Sequence, residues 1–307
     1  METSNLNGVM VPILTPLTPE EKLDAPSLRR LINYLLENGV HGLWAAGTTG
    51  EFAALPNDQR IQLFDIIVDE VAGRLPIIAN ISAASTQLTV EFGNAVKKMR
   101  LDGVAATPPY YFPCSQMEIL EHFRYIRQQV ELPLWVYNIP STVKTVVDPE
   151  TIAQLAAEGT VVGVKDSSGG GESLAQLNVL LDRNRVPLYR FLGSMYRTAV
   201  ARDIGAHGII SGISNFVPGI IVDLWNLAES DNQDAIRNLQ EKLIVATKVQ
   251  SLIKTASING ASFAGYKAAL AFMGIIDHDT VTRPFRPLTE EEREPIPSIL
   301  AELGLTE

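Results

Sequence analysis

The chain contains 307 residues, of which 46% are hydrophobic and 20% are charged, and its formal net charge is −10. This composition is typical of a globular protein with a large buried core, and the acidic balance argues against a nucleic acid partner. No apolar run reaches the ~18 residues that a membrane-spanning helix requires, and the first residues lack the charged and apolar regions of a secretory signal. We therefore expect a cytoplasmic protein that does not contact a membrane.

Cysteine and histidine usage argues against a metal-dependent mechanism. The single cysteine, Cys114, excludes an internal disulfide and a multi-cysteine metal site. The four histidines lie far apart in sequence and show no spacing typical of metal ligands. We expect a protein that uses neither a metal ion nor another cofactor.

Short apolar runs alternate with amphipathic segments from the start of the chain. The runs predict eight strands, at residues 8–16, 42–47, 76–82, 103–107, 133–138, 161–166, 189–193 and 208–211. The segments between and after them predict helices at residues 24–38, 57–72, 86–99, 115–130, 149–157, 172–181 and 195–204. The first helix has Asp24 as its N-cap, Pro26 in its first turn and Gly39 as its stop. Mostly apolar short strands that alternate with helices predict a parallel sheet covered by helices.

Eight such units predict a (β/α)8 TIM barrel over residues 1–219. An open doubly wound sheet is less favoured because no Gly-x-Gly-x-x-Gly turn follows the first strand. Beyond the barrel, helical patterns occur at residues 222–230, 234–255, 262–273 and 289–303. We expect residues 220–307 to form a C-terminal helical layer packed on the barrel.

The sixth predicted strand carries a lysine in an unusual place. Lys165 ends the run Val161-Val162-Gly163-Val164, and an ammonium rarely sits among β-branched apolar residues. Gly163 lies on the same face of the strand and leaves room beside the lysine. A desolvated lysine loses proton affinity, so its neutral amine can attack a carbonyl carbon to form a Schiff base. The alternative is a lysine that reaches solvent at the strand end.

Because the active site of such a barrel lies at the C-terminal ends of the strands, polar residues there are candidates for function. The second strand ends in Gly47-Thr48-Thr49-Gly50-Glu51, which is either a cradle for a carboxylate or a simple turn with Glu51 opening a helix. Tyr137 shares a face with Trp135 one strand away from Lys165. It is either a proton carrier or a buried phenol bonded to the backbone.

The remaining strand ends are less informative. The loop after the fourth strand carries Tyr110 and Tyr111, which could equally be packing residues. Small residues after the seventh and eighth strands, such as Gly193 and Ser211, leave room for a substrate or form a phosphate site, although no basic residue strengthens the second reading. His207 precedes the eighth strand and therefore belongs to the opposite, stability-related face.

Together these motifs resemble the dihydrodipicolinate synthase and N-acetylneuraminate lyase family of pyruvate-dependent class I aldolases. The resemblance covers nearly the whole chain and rests on the order and spacing of five motifs. They are Gly-Val at 8–9, Gly-Thr-Thr-Gly-Glu at 47–51, Tyr-Asn-Ile-Pro at 137–140, Gly-Val-Lys-Asp-Ser at 163–167 and Gly-Ile-Ile-Ser at 208–211.

The resemblance implies a role for each matching residue. Lys165 corresponds to the Schiff-base lysine, and Tyr137 to the phenol that carries protons to and from the reacting centre. Thr48 and Thr49 correspond to the pair that hydrogen-bonds the pyruvate carboxylate, and Thr48 also joins a relay with Tyr137. The substrates implied are pyruvate, or a related 2-oxo acid, and an aldehyde.

The resemblance also implies an oligomer. Tyr111 corresponds to the tyrosine that completes the relay from a neighbouring subunit, so the active unit is at least a dimer and the family habit is a tetramer. Gly193 and Ile210 match positions that line the pyruvate pocket.

Two departures from the family pattern bear on the second substrate. Dihydrodipicolinate synthases carry an arginine two residues after Tyr-Asn-x-Pro, whereas Ser141 and Thr142 follow here, and Lys144 could reach back only as a point charge. Sialic acid lyases carry an acidic pair where this chain has Met195 and Tyr196. We therefore favour an enzyme that cleaves or forms 2-keto-3-deoxy sugar acids.

Three alternatives stay open. The first is 4-hydroxy-tetrahydrodipicolinate synthase, which joins pyruvate to aspartate semialdehyde, and the second is an aldolase for a less polar aldehyde. The third is a non-catalytic protein that binds a keto acid, because function resides in sites and not in folds.

Overall fold

The computed structural model describes residues 6–306, and within them eight parallel strands form a closed barrel in sequence order. The strands are β1 (Gly8–Val11), β2 (Gly42–Ala45), β3 (Ile77–Asn80), β4 (Gly103–Ala106), β5 (Leu134–Asn138), β6 (Gly163–Asp166), β7 (Tyr189–Leu192) and β8 (Gly208–Ile210). β8 pairs with β1, which closes the ring. The predicted (β/α)8 TIM barrel is confirmed.

Helices connect the strands and continue after the last one. The first seven are α1 (Ala25–Glu37), α2 (Asn57–Val71), α3 (Thr86–Val96), α4 (Gln116–Val130), α5 (Pro140–Val143), α6 (Pro149–Ala157) and α7 (Glu172–Asn184). After β8 come α8 (Pro218–Leu227), α9 (Gln233–Thr247), α10 (Ile258–Phe272), α11 (Glu290–Arg293) and α12 (Ile296–Leu303). None of the helices described within residues 6–306 combines the length and apolarity needed to cross a membrane.

Several predicted bounds were wrong for local reasons. The first strand ends at Val11 because Pro12 lacks the N–H that would continue the ladder. The helix predicted over 195–204 is a 3-10 helix, Met195–Val200, followed by turns. The helix predicted over 289–303 is interrupted at Pro295, which separates α11 from α12.

The ends of α1 follow the predicted chemistry. The Asp24 carboxylate accepts a hydrogen bond from the Ser27 backbone N–H at 3.1 Å, and Pro26 lies in the first turn. Gly39 adopts φ +71°, a left-handed conformation that stops the helix at little cost for glycine.

The chain forms two compact units. One contains His41–Trp44 and Leu75–Ser211 together with the start of β1, and the other contains Val11–Val40, Ala45–Arg74 and the segment from Gly212 onward. The division at residue 219 stays a prediction. In the first unit a buried hydrophobic cluster fills the barrel with one or two side chains from every strand except β6, namely Met10, Trp44, Ile78, Ala105, Trp135, Tyr137, Phe191 and Ile210.

The register of β5 and β6 sets the layers of this cluster. Trp135 lies opposite Gly163, and Tyr137 lies opposite Lys165 on the next inward-facing layer. A Cβ atom built on Gly163 would overlap the indole ring of Trp135. The space that Gly163 leaves is therefore filled by an indole and not by the lysine stem, which corrects our expectation.

We predict that Gly163→Ala destabilises the protein because the new methyl group would displace the buried Trp135 ring. The expected loss in free energy of unfolding is about 1–3 kcal/mol, as for other overpacked cores, measured by urea denaturation. Gly169→Ala is a matched control, since the nearest atom to its new Cβ is a Glu172 carboxylate oxygen at 3.4 Å. Equal stability of the two variants would contradict the packing argument.

Candidate active site

The centre of the candidate site is the contact between the facing residues of β5 and β6. Lys165 Nζ donates a hydrogen bond to Tyr137 Oη at 3.2 Å, and the lysine is only 4% exposed. The alternative of a lysine that reaches solvent is therefore wrong. The ammonium position also lies 4.3 Å from the centre of the Tyr137 ring and 5.4 Å from that of Trp44.

The surroundings of Lys165 favour its neutral form. Among the described residues, no carboxylate lies within ion-pairing distance of its amine, which faces aromatic rings and one phenol. Burial lowers the pKa of Lys165 to about 7, because a low-dielectric interior penalises the charged form. Ring faces attract a cation only weakly compared with a carboxylate, so they do not reverse that shift. A large fraction of Lys165 therefore carries a neutral amine near neutral pH.

Trp44 on β2 is a wall of the site that the sequence analysis missed. Its ring meets the Tyr137 ring edge-on, with centroids 5.6 Å apart and planes at 78°. This contact fixes the plane of the phenol beside the amine. Alternation along β2 places Trp44 on the inward face, but nothing in the sequence pairs β2 with the particular phenol of β5.

The two threonines lie on the turn that follows β2. Glu51 N–H donates to the Thr48 carbonyl at 2.9 Å, which closes the turn. Ala46 and Glu51, which bracket it, adopt φ +48° and +58°. Non-glycine residues in this left-handed region carry backbone strain, which commonly accumulates at functional sites. The turn is thus a strained segment at the C-terminal end of a barrel strand.

Gly193 and Ile210 occupy the ends of β7 and β8. A Cβ atom on Gly193 would overlap Ser167 Oγ, two residues after Lys165, so only glycine fits. The Gly193 N–H donates to the Asp166 carbonyl at 2.7 Å and holds this point against β6. Ile210 is 1% exposed and belongs to the same buried cluster as Tyr137.

The two ends of the loop after β5 are hydrogen-bonded to each other through an asparagine side chain. Asn138 Nδ2 donates to the Val147 carbonyl at 3.2 Å, and Val147 N–H donates to Asn138 Oδ1 at 3.1 Å. The same Nδ2 donates to Asp166 Oδ1 at 3.1 Å, and burial raises the pKa of Asp166. Asn138 therefore ties the loop of residues 139–147 to both β5 and β6.

That loop carries the residues that depart from the family pattern. Ser141 and Thr142 are exposed on α5, and Lys144 follows with φ +62°. The ammonium of Lys144 lies beside α5, where Nζ donates to the Ser141 carbonyl at 2.7 Å. Whether it reaches a substrate carboxylate stays a prediction.

Tyr111 lies apart from the buried pair. It is 86% exposed on the loop after β4, and its ring meets Phe112 edge-on at 5.1 Å. The structure of one chain does not bring Tyr111 into hydrogen-bond contact with Tyr137. Within residues 6–306, no group of three His, Cys, Asp or Glu side chains could hold a metal ion.

Comparison with known proteins assigns a family to this arrangement. The dihydrodipicolinate synthetase family model matches residues 5–303. A 4-hydroxy-tetrahydrodipicolinate synthase of Teredinibacter turnerae is 34% identical over 284 residues, covering 92% of this chain and 93% of that protein. The dihydrodipicolinate synthase structure from Bacteroides thetaiotaomicron matches with a TM-score of 0.90 at 32% identity, covering 97% of this chain and 99% of that one.

A further structure is relevant because it contains a small molecule. The chloride-inhibited dihydrodipicolinate synthase from Acinetobacter baumannii, complexed with pyruvate, matches with a TM-score of 0.85 at 28% identity, covering 98% of this chain and all of that one. The fold is that of a class I aldolase or lyase. The chain belongs to the dihydrodipicolinate synthetase family, whose members are lyases and synthases that use a lysine Schiff base with pyruvate.

We predict that Lys165→Met stabilises the protein most at low pH. Because the folded-state pKa of Lys165 lies at about 7, below its ordinary value of 10.5, the unfolded chain binds the extra proton between these values. The cost of burying the ammonium is complete below pH 7 and shrinks as pH rises toward the unfolded pKa. Methionine should add roughly 3–5 kcal/mol at about pH 6 and progressively less toward about pH 9, measured by urea denaturation. A gain in the free energy of unfolding that does not depend on pH would contradict the lowered pKa of Lys165.

Proposed function

We propose that the protein is a pyruvate-dependent class I aldolase in which Lys165 forms the Schiff base and Tyr137 transfers protons. The observation that carries this proposal is the buried amine of Lys165, which lies 3.2 Å from a phenol oxygen and has no carboxylate partner among the residues that the structure describes. Membership of a family that uses a lysine Schiff base with pyruvate supports it, as does the relative solved in complex with pyruvate.

Lys165 begins the reaction as a neutral amine. Nζ adds to C2 of the 2-oxo acid, the carbonyl oxygen leaves as water, and one proton taken up leaves a positively charged iminium ion. The iminium ion accepts the electron pair of the C3–C4 bond when that bond breaks. The products are a neutral enamine on Lys165 and a free aldehyde. Protonation of the enamine at C3 and hydrolysis of the iminium ion release pyruvate, and the reverse sequence joins pyruvate to an aldehyde.

Tyr137 acts on the hydroxyl group at C4. Its oxygen takes the C4 hydroxyl proton and passes its own phenolic proton to the relay through Thr48 while the C3–C4 bond breaks, and the same transfers run in reverse in the condensation direction. Its hydrogen bond to Lys165 and its edge contact with Trp44 keep the phenol beside the reacting carbon. A fixed phenol lowers the entropic cost of each proton transfer.

The turn after β2 holds the substrate carboxylate. The hydroxyl groups of Thr48 and Thr49, together with nearby backbone N–H groups, donate hydrogen bonds to the anion, and Thr48 joins the relay with Tyr137. Gly193 and Ile210 line the pyruvate pocket, and the absence of a side chain at Gly193 makes room for Ser167, two residues after the Schiff-base lysine.

The active unit is an oligomer, and we propose a cytoplasmic homotetramer. Tyr111 completes the proton relay from a neighbouring subunit. Its exposure, shared with Phe112 at the tip of the same loop, supports this role, since two aromatic side chains so exposed are available to a second copy of the chain.

The preferred substrates are 2-keto-3-deoxy sugar acids. The exposed hydroxyl groups of Ser141 and Thr142 suit the hydroxyl groups of a sugar-derived aldehyde, and no guanidinium follows the Tyr-Asn-Ile-Pro motif. Met195 and Tyr196 replace the acidic pair of sialic acid lyases, which disfavours that branch.

The second candidate is 4-hydroxy-tetrahydrodipicolinate synthase. It is favoured by the ammonium of Lys144 against the Ser141 carbonyl, where a cation could receive the carboxylate of aspartate semialdehyde. The name of the 34% identical relative also favours it. A single ammonium lacks the two-point geometry of an arginine at a carboxylate, which is why we place this candidate second.

We predict that pyruvate and borohydride together attach a reduced pyruvate to the wild-type protein at Lys165, detected by intact mass and peptide mapping. Lys165→Met should show no adduct. Tyr137→Phe should still form it, but aldol turnover should fall roughly 10²–10⁴-fold, because only proton transfer is lost. A wild-type protein without an adduct would instead support the non-catalytic keto-acid-binding alternative.

We predict that glyceraldehyde is a better partner for pyruvate than aspartate semialdehyde, measured as initial rates of aldol formation at matched concentrations. Lys144→Met should leave the glyceraldehyde rate within about twofold, since a hydroxylated aldehyde needs no cation. Lys254→Met, at an exposed lysine on the segment before α10, is the control. Efficient turnover of the semialdehyde alone, lost in Lys144→Met but kept in Lys254→Met, would establish the second candidate instead.

A further inference from the structure

A second buried lysine lies in the other compact unit and has a full set of partners. Lys267 on α10 is 0% exposed, and its Nζ lies 2.5 Å from Glu51 Oε1 and donates to the Thr280 carbonyl at 2.7 Å. The other Glu51 oxygen accepts hydrogen bonds from Thr282, at 2.7 Å from its backbone N–H and 2.8 Å from its hydroxyl. Both charges are therefore paired and hydrogen-bonded away from water.

Burying the Glu51–Lys267 ion pair costs free energy unless every charged group in it is hydrogen-bonded. Two ions in the interior lose several kcal/mol of hydration each, and only good geometry with further hydrogen bonds recovers that loss. An apolar pair of similar volume would often be as stable. Stability alone thus gives a weak reason for the ion pair, so its position in the fold becomes informative.

Glu51 is the last residue of the turn that carries Thr48 and Thr49. Glu51 precedes the 3-10 helix Phe52–Ala54 as its N-cap residue, as expected, but its side chain makes no capping bond to that helix. Its carboxylate instead ties the end of the turn to α10 and to Thr282, more than 200 residues further along the chain. The Glu51 side chain therefore anchors the turn to Lys267 and Thr282.

The turn requires such anchoring because its backbone is strained. Ala46 and Glu51 both adopt the left-handed conformation, and residues in that region persist only when their surroundings hold them there. The middle of the turn is held separately, since Thr15 Oγ1 donates to the Gly50 carbonyl at 2.8 Å. A Cβ atom on Gly212 would lie 3.0 Å from Thr49 Oγ1, so the second threonine is also closely packed.

We propose that Glu51 and Lys267 are positioning residues that hold the Thr48–Thr49 turn in the conformation that binds the carboxylate of the 2-oxo acid. This inference rests on the proposed function, in which the two threonines receive that carboxylate. Neither residue reacts with substrate. Within the described part of the chain, Lys267 has a carboxylate partner and Lys165 has none, which separates the positioning lysine from the reacting one.

The test measures how much pyruvate is needed to form the borohydride adduct on Lys165. In Glu51→Gln the turn loses its ionic anchor, and the half-saturating pyruvate concentration should rise roughly tenfold, the effect of weakening one charge-assisted hydrogen bond. The adduct yield at saturating pyruvate should stay within about twofold of wild type, because Lys165 and Tyr137 are untouched.

The matched control is Glu70→Gln in the same compact unit. Glu70 pairs with Arg29 at 2.6 Å, linking α2 to α1 without touching the turn. This variant should lower the melting temperature but leave the half-saturating concentration unchanged. A general loss of stability would raise that concentration in both variants and would overturn the positioning role.

A milder variant guards against misfolding of Glu51→Gln. Thr282→Val removes only the hydroxyl bond to Glu51 and keeps the backbone bond, so it should raise the half-saturating concentration by about two- to fivefold. If Glu51→Gln folds and its half-saturating pyruvate concentration is unchanged, the inference is overturned. If Glu51→Gln does not fold, an unchanged half-saturating concentration in Thr282→Val overturns it. Absence of any adduct in the wild-type protein would instead refute the proposed function, which distinguishes the two failures.

Discussion

The site depends on the Lys165 amine, which the fold buries with no carboxylate partner within residues 6–306. Inside the barrel, Lys165 meets a phenol and the faces of two aromatic rings, so proton loss is the way in which the protein lowers the cost of burying it. Lys267 differs, since Glu51 lies 2.5 Å away and pairs with it. Among residues 6–306, these two buried lysines thus differ in whether a carboxylate partner is present.

The register of β5 and β6 places the phenol of Tyr137 beside the amine of Lys165. β5 and β6 lie side by side, so Trp135 fills the space left by Gly163 and Tyr137 faces Lys165 one layer higher. Gly163 and the indole of Trp135 form one packed layer, and the amine and phenol form the next layer toward the carboxyl ends of the strands. A shift by one residue in this register would exchange inward and outward faces and remove the pair.

Much of the fold and the central pair could be predicted from the sequence, because both depend on local patterns. The eight strands follow from short apolar runs, and the Lys165–Tyr137 contact follows from alternation on neighbouring strands. The bond between Glu51 and Lys267 could not be predicted, since 216 residues separate the two and each residue alone is typical of a surface. The 3-10 helix at Met195–Val200 escaped prediction because its residues also fit an amphipathic α-helix.

The most direct test of the account is the protonation equilibrium of Lys165 itself. Lysines carrying ¹³C at the ε-carbon can be followed by NMR from about pH 5 to about pH 11, and comparison with Lys165→Met assigns the signal. The account predicts that the signal of Lys165 titrates with a midpoint of about 7 in the absence of substrate. A midpoint near the ordinary lysine value of 10.5 would show an amine that stays protonated at neutral pH, and would contradict the nucleophile proposed here.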